Sequence, residues 1–243
     1  MSRRTWIPQS VVGQRRGLTA EQLTVAWQSA SLLLGYPDQL LVDRLGLIRR
    51  ASYGLPDRVG ERLRATVAVL AGTPLPELEA DYVETFDSRR RHNLFLTYFA
   101  HGDTRKRGMA LLRFKQTYRS CGVDLEQSDE LPDHLCVVLE FAATIDQERG
   151  RRLLLDHRAG LELLRLSLAE SSSRWAGAVE AVTATLPALQ GDEIEAVQRL
   201  AADGPPAEEV GLTPYDTPAL DPDVALPAPA PVLLPMPSFP GGR

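Results

Sequence analysis

The chain has 243 residues, 44% of them apolar and 24% charged, with 18 Gly and 18 Pro. That apolar share fills a core and that charged share solvates a surface, which excludes wholesale disorder, a collagen repeat and a multi-span membrane protein. The 27 Lys and Arg against 32 Asp and Glu leave a net charge of −5, too acidic for a surface built throughout to coat nucleic acid.

Residues 1–18 read as a flexible leader. Its Arg3-Arg4 pair has the look of a twin-arginine export signal, but Arg15 and Arg16 interrupt the apolar run that such a signal needs. From residue 19 to 203 apolar positions recur at three and four residues, no stretch alternates over strand length, and no Asn-Gly or Asp-Gly hairpin signal occurs. The expected fold is therefore all-α, a single helical bundle with short connections. Thr19 as N-cap with Gln22 three residues later starts a helix that runs to Leu34, where Gly35-Tyr36-Pro37 stops it, and Asp38 opens the next. Further helices are predicted over 38–52, 56–71, 74–86, 104–120, 131–149, 151–170, 173–186 and 191–202, with the longest irregular stretch at 87–103. Residues 204–243 carry 11 of the 18 prolines and read as a disordered tail, too often interrupted by proline to span a membrane although 224–242 hold no charge.

Three segments carry unusual chemistry. In Asp81-Tyr82-Val83-Glu84-Thr85-Phe86-Asp87 the aromatics Tyr82 and Phe86 share a helical face, which suits either a groove for another chain's helix or plain core packing. Between residues 87 and 119 nine cations face only Asp87 and Asp103, a local charge of +7 that leaves −12 on the rest. This is the footprint of an acidic partner or a solvated helix face. Gly102 to Gly108 fails as a phosphate loop, because five residues separate the glycines and Met109 follows, so Asp103 is expected to cap a helix with Leu111, Phe114 and Tyr118 pointing inward. Glu130-Leu131-Pro132-Asp133-His134 is placed at a helix start, where Pro fits the first turn and the carboxylates suit the helix dipole.

No constellation for bond chemistry emerges. Asp133 and Glu140 stand about 10.5 Å apart along a helix axis, loose for a two-carboxylate hydrolase, and no nucleophile elbow accompanies the Asp133-His134 pair. His92, His101, His134 and His157 lack metal-ligand spacing, and Cys121 and Cys136, 15 apart, match neither a redox nor a zinc pair.

The series Leu33-Leu34-Gly35-Tyr36-Pro37-Asp38, the Tyr82 to Asp87 segment, Leu94-Phe95-Leu96, His101-Gly102-Asp103-Thr104-Arg105-Lys106-Arg107-Gly108 and Glu130 to Leu135 resembles the NarJ family over about residues 25–200. These are assembly chaperones of respiratory nitrate reductase, also called its delta subunit, in the TorD-like group. The resemblance implies a cytoplasmic all-α protein that is not an enzyme and inserts into no membrane. Its partner would be the apo form of the catalytic alpha subunit, bound by its N-terminal segment. The client would be held open for insertion of molybdenum cofactor and an iron-sulfur cluster before membrane docking, the chaperone itself holding no cofactor stably. The resemblance carries peptide binding onto Tyr82, Phe86, Glu130, Pro132, Asp133 and His134, and more distantly onto Arg105 and Arg107; Asp87 beside the aromatic pair and Glu140 as a further carboxylate complete the candidate peptide-binding set. Physically, an amphipathic peptide would lay its apolar side against the aromatics while the carboxylates meet its basic residues. The sequence departs from the family pattern at Cys136, where proline is common, and in the tail. The rival reading is a nucleotide-binding module, for GTP, or an enzyme built on the basic 89–119 segment.

Overall fold

Side-chain caps set several helix starts. The Thr19 hydroxyl accepts from the Gln22 amide at 3.2 Å while the Gln22 side chain accepts from the Thr19 amide at 3.1 Å, the expected capping box, and the Asp38 carboxylate accepts from the Leu41 amide at 2.7 Å. The computed structural model describes residues 17–102, 104–125 and 130–204, all within one compact unit. The leader and the tail fall outside the described residues, save for their last two and first positions respectively.

Eleven α-helices occur among the described residues: α1 (Ala20–Leu34), α2 (Gln39–Ala51), α3 (Asp57–Ala71), α4 (Leu75–Phe86), α5 (Leu96–His101), α6 (Arg105–Arg119), α7 (Leu135–Thr144), α8 (Gln147–Asp156), α9 (Arg158–Glu170), α10 (Ala176–Thr185) and α11 (Gly191–Asp203). Two 3-10 turns, Ser52–Gly54 and Arg90–His92, complete the set. The all-α expectation is met, with one isolated antiparallel bridge, Phe95 to His134, as the β-type pairing among the described residues. The stretch 87–103 is not wholly irregular, since it holds a 3-10 turn and α5.

The predicted helix over 131–149 is two helices. Asp146 turns its carboxylate back to accept from the Arg149 amide at 2.8 Å, so it caps α8 and ends the run that began at Leu135. A second break at His157 separates α8 from α9 inside what the periodicity presents as a helix over 151–170. α6 follows its expected course, with Phe114 and Tyr118 buried and Leu111 half-buried. Asp103, the expected cap, lies outside the described residues, and the Thr104 hydroxyl donates to the His101 carbonyl at 2.8 Å instead of capping.

α1 is the axis of the bundle, in contact with α2, α3, α7 and α10. It buries Ala26, Trp27, Ala30, Leu33 and Leu34, and the Trp27 indole N–H donates to Thr185 Oγ1 at 2.9 Å across the core. Close approach of α7 and α8 depends on a missing side chain: a Cβ on Gly150 would collide with the Cα and Cβ of Ala142. Because the obstacle is backbone, Gly150→Ala is expected to lower stability by about 1–3 kcal/mol, read as a reduced urea midpoint at unchanged slope.

Candidate functional site

α4 forms one wall of the site. Its Leu78, Tyr82 and Phe86 are four residues apart in turn and face the core. The helix is braced from outside by Arg174, whose guanidinium donates to Asp81 at 2.5 Å, Glu77 at 2.6 Å and Thr73 Oγ1 at 3.0 Å. The Tyr82 hydroxyl donates to the Leu34 carbonyl at 2.9 Å, and burial pushes its pKa upward, so it stays protonated. Trp175, fully buried, meets Tyr82 and Phe86 edge-on at 5.4 and 5.5 Å between ring centres, and Tyr36 meets Tyr82 at 5.4 Å from the solvent side. Tyr82 and Phe86 are thus 8% and 9% exposed, core residues whose outer edges show.

The opposite wall is a pinned crossing of two segments. The Leu96 amide donates to the Asp133 carbonyl at 3.0 Å and the Leu135 amide to the Leu94 carbonyl at 2.8 Å, which fixes 94–96 against 133–135. The Asp133 carboxylate, completely buried, accepts from the Thr97 amide at 3.1 Å and from its hydroxyl at 2.5 Å. Arg107 stands 4.0 Å from the same carboxylate, donates to Thr97 Oγ1 at 3.3 Å and lies over the Phe95 ring. Pro132 is buried too, its carbonyl accepting from the Tyr118 hydroxyl at 2.7 Å. It therefore sits in the turn before α7, not in the helix's first turn as expected.

Between these walls lies a cavity of about 470 Å³. Tyr36, Tyr82, Phe86, Leu94, Phe95 and Val137 give it an apolar floor, and Asp87, Glu130 and Glu140 place three carboxylates on its lining. His134 also lines it, edge-on to Phe95 at 5.1 Å and 4.0 Å from Glu130. Burial lowers the His134 pKa against the opposing pull of Glu130 and Asp133, so at neutral pH the ring is uncharged and the cavity is acidic. Cys136 lines it as well, but burial pushes its thiol pKa up and its carbonyl accepts from Ser31, so it is a packing residue with no thiolate character.

Of the residues picked from sequence, Tyr82, Phe86, Asp87, Glu130, His134 and Glu140 come together on this one cavity. Pro132, Asp133 and Arg107 stand behind the wall and hold it in place, and Arg105 is exposed at the start of α6 away from the lining. Asp133, expected as a rim carboxylate facing a peptide, is instead an internal anchor. Tyr36, Asn93 and Val137 on the lining carry no periodic signal of their own, and Phe95 lies in the stretch that periodicity leaves irregular. The basic segment is partly spent within the protein: Arg89 is 3.8 Å from Glu84 and Arg91 donates to the Ala201 carbonyl at 3.2 Å. Among the described residues no group of three His, Cys, Asp or Glu could hold a metal, and no helix is long and apolar enough to cross a membrane.

Two histidines make folding pH-dependent. Burial lowers the pKa of His134 and of His157, whose ring packs on Phe114 and whose Nδ1 sits 2.9 Å from the Leu153 carbonyl. Below the ordinary value of 6.5 the unfolded chain takes up protons that the folded chain refuses, so stability falls as pH drops below 6.5. The melting temperature is expected to decline between pH 7 and 5, and to decline less in His134→Gln/His157→Gln; an unchanged slope would mean other groups govern it.

The sequence model of the family described as nitrate reductase delta subunit matches residues 53–181, which contain the whole of both walls of the cavity apart from Tyr36 and its neighbours. The chain belongs to the nitrate reductase delta subunit family. It is 31% identical over 166 residues to the probable nitrate reductase molybdenum cofactor assembly chaperone NarJ of Bacillus subtilis, covering 67% of this chain and 88% of that one. It is 34% identical over 149 residues to the nitrate reductase molybdenum cofactor assembly chaperone NarJ of Escherichia coli K12, covering 60% and 63%. Similarity is also found to the nitrate reductase-like protein NarX of Mycobacterium tuberculosis, 42% identical over 161 residues, of which this family member spans only about a quarter, 24% of its length against 66% of the present chain. Among solved structures, a putative redox enzyme maturation protein from Archaeoglobus fulgidus aligns over 73% of the chain and 96% of its own, with 24% identity and a TM-score of 0.47.

Proposed function

We propose that this delta-subunit family member is a cytoplasmic assembly chaperone whose cavity between α4 and the start of α7 receives the N-terminal segment of the apo catalytic alpha subunit of nitrate reductase. Occupancy holds that client open for insertion of molybdenum cofactor and an iron-sulfur cluster and keeps it from the membrane until both are in place. The chaperone contributes binding and performs no bond chemistry on the client.

The observation that carries the reading is the cavity's composition: an aromatic and aliphatic floor with Asp87, Glu130 and Glu140 on its lining and a neutral His134, a surface that suits an amphipathic segment with apolar anchors and basic flanks. Relatives named as molybdenum cofactor assembly chaperones support the same reading.

Calorimetric titration of the full chain with a synthetic peptide covering the N-terminal segment of the cognate catalytic subunit tests it. Saturable one-to-one binding that weakens as salt rises is expected. In cells lacking the chaperone, the catalytic subunit should be made but purify without molybdenum. Absence of peptide binding together with normal metal content would dismiss the proposal.

A further inference from the structure

The basic segment ends in α6, whose 15 residues carry six cations and no carboxylate. Ala110, Phe114 and Tyr118 form its buried side, Arg107 turns inward to Asp133, and among the helices α6 packs chiefly on α5. Its outer side combines apolar and basic groups. Met109 and Leu112, three positions apart on one face, are 65% and 49% exposed. By helical spacing Lys106 and Arg113 border this pair on one flank and Lys115 on the other, and all three are exposed. Among the described residues no carboxylate pairs with these three cations, although Asp124, beyond the helix, shares a small hollow with Lys115.

We propose that the outer face of α6 is a peripheral docking surface for an anionic lipid bilayer, with Met109 and Leu112 entering the headgroup layer and Lys106, Arg113 and Lys115 meeting lipid phosphates. Such docking goes beyond the proposed function and does not depend on what the cavity binds. A stable protein partner needs a face of about 800 Å² around a core depleted in charge, and two apolar side chains bordered by lysine and arginine supply no such core. Single-stranded nucleic acid needs aromatic rings to stack on, and both aromatics of α6, Phe114 and Tyr118, are buried. A layer of anionic headgroups needs neither. Lysine and arginine stems lie along the apolar surface while their heads stay at phosphate level, and a helix of about 22 Å lies flat in that plane. The charge asymmetry orients the approach: the −12 carried outside residues 87–119 is repelled by the anionic surface that attracts α6. Two apolar side chains give weak, reversible attachment and no span.

The test is co-sedimentation of the full-length chain with vesicles of phosphatidylcholine alone and of phosphatidylcholine mixed with phosphatidylglycerol. Binding to the mixed vesicles only, weakening as salt rises, is expected. Lys106→Glu/Arg113→Glu/Lys115→Glu should lower that partition about a hundredfold or more, at about fivefold or more per cation. Arg44→Glu/Arg49→Glu/Arg50→Glu makes the same change in net charge at exposed positions of α2 and should cost at most about fivefold. Met109→Ser/Leu112→Ser should bind about tenfold more weakly with an unchanged salt dependence. All these positions are exposed, so the variants are expected to fold, as circular dichroism melting verifies. No binding to the mixed vesicles, equal binding to both kinds, or equal losses in the two triple variants would overturn the proposal, and unchanged binding in the serine variant would overturn the entry of Met109 and Leu112. If the vesicles are ignored while an acidic helical peptide or polyuridylic acid binds through the same three cations, α6 docks a macromolecule and the lipid assignment is wrong.

Discussion

Reversing two charges, Glu130→Lys with Glu140→Lys, is expected to abolish client-peptide binding while leaving the fold intact. Glu140 is exposed and the Glu130 side chain is 58% exposed, so neither substitution disturbs packing, and the stability change should stay within about 0.5 kcal/mol. On the lining, however, the change replaces two of three carboxylates by two ammonium groups beside Asp87. Like-charge juxtaposition in a partly desolvated site costs about tenfold or more per reversal, so a combined loss of about a hundredfold or greater should appear at low salt and shrink as ionic strength rises. Circular dichroism melting verifies the fold, and titration reads the affinity. Retained affinity in the folded double variant would show that the acidic lining does not select the ligand. The reversal is a cleaner probe than removing Tyr82 and Phe86, because both rings are packed on Trp175 and their loss would empty the core beneath the cavity.

Asp133→Ala is expected to have the largest effect on stability. The carboxylate receives two hydrogen bonds from Thr97 at complete burial and stands beside Arg107, and the same residue's backbone carbonyl holds Leu96. Truncation strands the buried Thr97 amide and takes an anionic neighbour from a largely buried guanidinium, at about 3 kcal/mol or more of a total that is typically 5–15 kcal/mol. Asp133→Asn keeps an acceptor oxygen in place and should cost clearly less. Chemical denaturation of the pair separates charge from hydrogen bonding: equal losses would mean that the charge beside Arg107 is what matters.

Much of the bundle was readable because its signals are local. The Thr19 and Gln22 box, the Asp38 cap and the four-residue spacing of Leu78, Tyr82 and Phe86 each need only a few neighbouring residues to act, and each appears in place. The α7–α8 break was hidden because apolar spacing runs on through Phe141, Ala142 and Ile145, and the deciding residue, Asp146, looks from the sequence like any surface acid in a helix. In the site, the family motifs and the search for carboxylates to meet a basic peptide together named six of the lining residues, but nothing in spacing says that residues 94–96 cross 133–135, a pairing over some 40 positions of chain. That crossing is what buries Asp133, and it is also what brings Phe95 onto the lining. Read along the chain, Asp133 is one carboxylate of an exposed-looking acidic cluster; only tertiary contact turns it inward.

Trp175 gives the cavity an optical consequence. Its indole touches no solvent yet lies against the inner edges of Tyr82 and Phe86, whose outer edges the cavity exposes. A ligand pressing on those rings changes the electric field and the packing around a chromophore it never meets. A shift or intensity change in the tryptophan band then reports occupancy from within, with no attached label. Trp27, hydrogen-bonded to Thr185 and absent from the cavity lining, is a second emitter and Trp6 a third, so replacing both by phenylalanine isolates the Trp175 signal.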